Sequence, residues 1–179
     1  MKERAKSKME IVHIKMDAIA LAVTPIGDRY SRLFHDTCID VVTKDEGVFK
    51  FKFKSGFITN FRSGGVFVDF FIDQIGDEKK SLWYLIHDAI YTPCAALGME
   101  HPMSRKKGDE LLRAGLIHDG MSKFYASVVY KSVRIFGHTA YWKDDKYTQS
   151  NSKLLGFEWC DKTHTPPNLS GAVNDCSAG

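Results

Sequence analysis

The sequence is poor in the features that settle a protein's class at sight. Its four cysteines, Cys38, Cys94, Cys160 and Cys176, are widely scattered and form no CxxC. That spacing speaks against a zinc finger and against a disulfide framework, and it points to synthesis in a reducing compartment. Cys160-x-x-x-His164 has the spacing of a ligand pair, but it is half a site without its other half. No apolar run is long enough to span a membrane. His13, Lys15 and Asp17 interrupt the stretch after the basic start, so no secretory signal is expected. Charge of one sign is also lacking: the net charge is only +3. Lys2, Arg4, Lys6 and Lys8 make a basic arm, yet so small and dispersed an excess speaks against nucleic acid as a partner.

What is present describes a globular chain. A hydrophobic share of 44% and an aromatic share of 12% over 179 residues suffice for one sizeable core. The expected organisation is a charged arm over 1–9, a single domain over 10–142, and an extended polar tail over 143–179 held by docking onto something. Residues 10–16 alternate weakly, with Val12, Ile14 and Met16 on one side, as a strand would. Thr24-Pro25-Ile26-Gly27-Asp28 is turn chemistry. Thr37–Thr43 and Val48–Lys54 form the clearest hairpin, with Asp45-Glu46-Gly47 between them. In the second strand Phe49, Phe51 and Phe53 alternate strictly with Lys50, Lys52 and Lys54, a half-buried strand with a solvated lysine row. That row is also where anionic lipid would be met. Ser55–Gly65 is a glycine-punctuated loop without the lysine of a phosphate-binding loop. Val66–Ile75 is apolar and reads equally as strand or helix.

Three helices follow. In the first, from Leu82 to Tyr91, Leu82, Leu85, Ile86, Ala89 and Ile90 recur at helical spacing and His87 lies beside that stripe. The second is capped by Ser104, with Asp109 three and seven residues before Leu112 and Leu116 and so on or beside its buried face. The third runs from about Ser122 to Phe136, with Tyr125, Val129, Val133 and Phe136 as its inward stripe and Gly137 as C-cap. The fold class is therefore α+β: an N-terminal antiparallel β-sheet, then a three-helix unit bearing a His-Asp motif.

Three His-Asp dipeptides occur, where composition predicts about 0.6. His35-Asp36 opens a strand and His118-Asp119 closes a helix, so both read as structural. His87-Asp88 differs. If the first two helices pack antiparallel, Asp109 approaches His87 and Tyr91, and a carboxylate on one imidazole nitrogen leaves the other free as a base. Asp88 points elsewhere and is available as a hard oxygen ligand, most naturally for calcium. The plain alternative is a polar cluster that pins two helices together. A metal-dependent phosphohydrolase would need His118-Asp119 to face His87.

Two resemblances add to this. Gly56-Phe57-Ile58-Thr59-Asn60-Phe61-Arg62-Ser63, His87-Asp88-Ala89-Ile90-Tyr91, Ser104-Arg105-Lys106-Lys107-Gly108-Asp109 and Val133-Arg134-Ile135-Phe136-Gly137 together resemble the phage and prophage protein family catalogued as domain of unknown function 1353, over about 37–138. Asn60 stands where that family usually has Asp. The resemblance implies a phage origin and no established activity. Locally, His87-Asp88-x-x-Tyr91 with Asp109 on the next helix is similar to the site of secreted phospholipase A2 enzymes, although their Tyr-x-Gly-x-Gly calcium loop and helix-linking disulfides are missing. That likeness implies His87 as general base, Asp109 as its orienter, Tyr91 as support to Asp109, and Asp88 as calcium ligand with backbone of the 56–65 loop. The expected function is a virion (tail) protein with a lipid-ester hydrolase site. Its partners would be other phage virion proteins and its place the virion or host cytoplasm. The alternative is a non-catalytic assembly component using the same cluster as a helix clamp.

Overall fold

A computed structural model describes residues 9–17, 22–26, 30–59, 81–92, 103–137, 151 and 153–160. The readings placed on the basic arm up to Lys8, on Asn60 and Val66–Ile75, on the 143–150 stretch and on His164 lie outside the described residues. Among them are seven strands and three helices: β1 (Ile11–Met16), β2 (Val23–Pro25), β3 (Ser31–Leu33), β4 (Thr37–Thr43), β5 (Gly47–Phe53), β6 (Ile58–Thr59), α1 (Ser81–Tyr91), α2 (Arg105–His118), α3 (Lys123–Phe136) and β7 (Leu155–Cys160). The chain is α+β, with its antiparallel sheet ahead of the helices as the hydrophobic periods require.

The larger sheet has the order β1-β4-β5-β7, all antiparallel. Its inner face carries Ile39 and Val41 from β4, Phe49, Phe51 and Phe53 from β5, and Leu155 and Phe157 from β7, all buried. The rings lock this layer. Phe51 meets Phe157 edge-on at 4.9 Å, and Phe53 meets Phe57 edge-on at 5.0 Å, within the range where aromatic edges find aromatic faces. On the outer face each lysine of β5 meets an acid: Lys50 with Asp40 at 4.0 Å, Lys52 with Glu158 at 2.9 Å, and Lys54 with Asp36 at 3.0 Å. The row is thus neutralised by cross-strand pairs and offers little net positive charge to a lipid surface.

Details of the sheet depart from the sequence reading or add to it. The β1 alternation is broken by a bulge between Ile11 and His13, which turns Ile11 inward and leaves Val12 exposed while Ile14 and Met16 still pack on the core. The period of two failed because one residue was spent on the bulge. β7 lies inside the stretch read as an extended tail. It is extended, and what it docks onto is β5 of the same chain, in the register Phe51↔Phe157. Finally Cys38, on β4, is disulfide-bonded, which sequence spacing does not predict because pairing follows spatial proximity.

A second, smaller sheet of order β2-β3-β6 joins the first. Asn151 completes it from the C-terminal side: its amide accepts from Ile58 N at 2.8 Å and donates to Ile58 O at 2.7 Å, in the manner of one more strand residue. The two sheets and three helices share one contiguous apolar core.

α1 is more deeply sunk than an amphipathic surface helix. From Trp83 to Tyr91 every residue except Asp88 is buried, so the helix serves as the spine of the core. α2 lies antiparallel to it at close range. A Cβ on Gly115 would stand 2.0 Å from the Trp83 ring, and one on Gly108 would stand 2.6 Å from Ile90; glycine at these two positions, seven apart, is what admits the large side chains of α1. α3 returns antiparallel to α2. Arg113 donates to Ser127 at 3.2 Å near one end, and Arg105 reaches Arg134 O at 3.3 Å near the other. Its inward stripe is Ala126, Val129 and Val133, not the aromatics, since Tyr125 and Phe136 are exposed. The small Ala126 lets α3 approach where Tyr125 would hold it off.

Candidate functional site

The close, antiparallel approach of α1 and α2 brings together side chains distant in sequence. His87 and Tyr91, one turn apart on α1, face Asp109 in the first half of α2. His87 Nε2 lies 2.8 Å from Asp109 Oδ1, and Tyr91 Oη donates to the same oxygen at 2.8 Å. The His87 and Tyr91 rings lie 4.2 Å apart. The other carboxylate oxygen, Oδ2, accepts from Arg134 Nη1 at 2.8 Å. One buried carboxylate is therefore shared by all three helices.

The electrostatics follow from that sharing. Burial raises the carboxyl pKa of Asp109, but hydrogen bonds from His87, Arg134 and Tyr91 outweigh it and hold the group below the ordinary aspartate range. Burial, then the neighbouring Asp109 charge, pushes the Tyr91 phenol up, so it stays protonated and donates. An ionised Asp109 can only accept. In the neutral ring the proton is thereby assigned to Nε2, and Nδ1 carries the lone pair. That Nδ1 is buried and has no hydrogen-bond partner among the described residues. His87 is 1% exposed and Asp109 0%.

Asp88 looks the other way. It is half-buried, and its Oδ2 accepts from Thr59 Oγ1. Thr59 belongs to β6 at the start of the glycine-punctuated loop, so Asp88 does face the described part of that loop. Among the described residues no group of three or more His, Cys, Asp or Glu side chains is placed to hold a metal ion. The Asp88 carboxylate and the Thr59 hydroxyl are both oxygen donors, the ligand type that calcium prefers.

The other two His-Asp dipeptides are tied into structure. Asp36 accepts from Ser55 N at 2.7 Å and from Lys54 Nζ at 3.0 Å. Asp119 caps α2 and accepts from Trp83 Nε1 at 2.7 Å and from its own neighbour His118 at 2.8 Å. His118 lies nine residues along α2 from Asp109, about 13 Å by helical rise. A phosphohydrolase site built on both dipeptides has no geometric support.

Sequence reasoning named His87, Tyr91, Asp109 and Asp88 but assigned nothing to Arg134, Thr59 or Tyr84. Arg134 and Thr59 stood in the quoted segments, Val133-Arg134-Ile135-Phe136-Gly137 and Gly56-Phe57-Ile58-Thr59; one charged residue in an otherwise apolar helix end was the available signal. Gly137 illustrates the limit of such signals. It caps α3 with an ordinary helical φ of −73°, not the left-handed one expected of a C-cap glycine. What requires glycine is space, because a Cβ there would stand 2.6 Å from Tyr91 Oη. No helix among the described residues is long and apolar enough to cross a membrane. Comparisons of the chain with protein-family models, with curated proteins and with solved structures give no match.

Proposed function

We propose that this chain is a phage virion protein, of the tail, whose helical unit hydrolyses ester bonds of host lipid with His87 as general base. The observation that carries the reading is the state of the His87 ring. One nitrogen is bound to an ionised carboxylate, and the other has no partner among the described residues and is held in a buried site, the arrangement a general base needs. His87 Nδ1 takes a proton from water as the water oxygen attacks the ester carbonyl. Asp109 stabilises the imidazolium so formed and keeps the ring oriented. The imidazolium then returns the proton to the leaving alkoxide. Tyr91 and Arg134 hold Asp109 in place. Asp88, with Thr59 and backbone of the 56–65 segment, would hold calcium, which when bound polarises the ester carbonyl and stabilises the developing oxyanion. The resemblance to the phage family supports the setting, with other virion proteins as partners and the virion or host cytoplasm as location.

A second reading has its own observation. Asp109, on α2, accepts from α1 and α3 at once and His87 is sealed, which is how a clamp is built. On that reading the chain is a non-catalytic assembly component. Hydrolysis of phosphatidylglycerol vesicles in the presence of calcium separates the two. The His87→Ala protein is expected to lose at least about a hundredfold in rate. A variant as fast as wild type, or a folded wild-type protein with no hydrolysis at all, sinks the enzymatic reading and leaves the clamp.

A further inference from the structure

A second buried polar group on α1 is used by neither reading. Tyr84 lies one turn before His87, at i−3, and is 2% exposed. Its hydroxyl, like His87 Nδ1, has no hydrogen-bond partner among the described residues, and the two do not bond each other. Buried hydroxyls and imidazole nitrogens are rarely left without a partner in native proteins, and an orphan commonly marks a water or ligand that the protein atoms alone do not show. Residues three apart on a helix present their Cβ atoms about 5–6 Å from one another.

The chemistry of the two orphans is complementary. With Nε2 committed to Asp109, His87 Nδ1 is an acceptor. The Tyr84 phenol is kept protonated by burial, which pushes its pKa up, and it is a donor. An occupant within reach of both would donate one proton and accept another, which a single oxygen can do. Water does this; a purely acceptor anion or a purely apolar group does not.

We propose that Tyr84 is a further catalytic residue, donating from its hydroxyl to the oxygen of the hydrolytic water whose proton His87 Nδ1 removes. The inference rests on the ester-hydrolase reading. The water oxygen then has one lone pair committed to Tyr84 and one free to form the bond to the ester carbon. The proton leaves along the line to Nδ1, and it is returned from the imidazolium to the alkoxide when the ester C–O bond breaks. No oxidant or further reactant enters. Tyr84 thus sets the direction of attack, a geometric contribution of the kind that a small misplacement abolishes.

Two measurements test this. In a high-resolution crystal structure of the wild-type protein, one ordered water is expected within hydrogen-bond reach of both Tyr84 Oη and His87 Nδ1. An empty space between them, or a Tyr84 hydroxyl bonded to protein, overturns the proposal. On phosphatidylglycerol vesicles with calcium, Tyr84→Phe is expected to lower kcat about 10- to 100-fold with KM unchanged. An unchanged kcat in Tyr84→Phe, beside a His87→Ala protein that is inactive, overturns the role of Tyr84 alone. A His87→Ala protein as active as wild type overturns the hydrolase reading beneath it.

Discussion

His87-Asp88 and His118-Asp119 are the same dipeptide on neighbouring helices, and they are put to opposite uses. In His118-Asp119 the two side chains bond each other at 2.8 Å at a half-exposed helix end, and the carboxylate also takes the Trp83 indole. In His87-Asp88 the neighbours part. The histidine goes to Asp109, 22 residues on and fully buried, and the aspartate goes to Thr59, 29 residues back. A histidine bound at the surface to its own neighbour, the capping Asp119, belongs to a helix end. A histidine held by a distant buried carboxylate, with no partner on its second nitrogen among the described residues, is a group on which all three helices converge.

Breaking the buried member should cost most. Asp109→Ala leaves Arg134 and His87 without their acceptor, and urea unfolding is expected to show a loss of about 3–5 kcal/mol. Because the folded pKa of Asp109 lies below its unfolded value, its contribution is fully present above the unfolded pKa and lost as pH falls through the folded one. The stability gap between wild type and Asp109→Asn should therefore stay level from pH 5 upward and narrow only below about pH 4. A gap that closes near neutrality would mean that the carboxylate is not the anchor.

The Asp88 half of the comparison is sharpened by calcium titration. At a hundredfold excess over Kd, calcium should raise wild-type stability by about 2.7 kcal/mol, with no shift in melting temperature for Asp88→Asn. Equal shifts in both proteins would remove Asp88 as a ligand. Next in size, Asp119→Ala strands the buried Trp83 N–H and should cost about 1–3 kcal/mol in urea unfolding, with vesicle hydrolysis unaffected. Smallest is His118→Ala, which removes only a half-exposed partner of Asp119 and should change stability by about 0.5 kcal/mol or less. If His118→Ala proved as damaging as Asp109→Ala, the contrast between the two dipeptides would collapse.

Much of this was legible in the residues. Ser104 and Ser122 announce their helices, and both hydroxyls accept the expected backbone N–H. The phenylalanine–lysine alternation of β5 is a strand on any reading. Asp109 could be placed beside Leu112 and Leu116, and helical spacing then set His87 and Tyr91 across from it. What escaped was whatever depends on the partner surface. Gly108 and Gly115 look like poor helix residues until Trp83 and Ile90 are seen occupying their missing side chains. Tyr125 fits the helical spacing of Val129 and Val133, yet it is Ala126 that is buried against the neighbouring helix. Arg134 could not be aimed at Asp109 before the crossing of α2 and α3 was known. β7 does alternate, with Leu155 and Phe157 inward and Gly156 and Glu158 outward, but so short a run after a long polar stretch does not by itself read as a strand.

That last strand carries a consequence for how the molecule is made. The contact between Lys52 and Glu158 spans 106 residues, and all three helices lie within the loop it closes. During synthesis the backbone edge of β5 that β7 will pair with stays open until the helices have emerged and β7 follows them. Joining so distant a pair is entropically slow, so the sheet is expected to finish last, after the helix that carries His87 has formed. A truncation just before Leu155 would then leave the helices able to form beside an unfinished sheet edge, and it should show itself first as aggregation through β5.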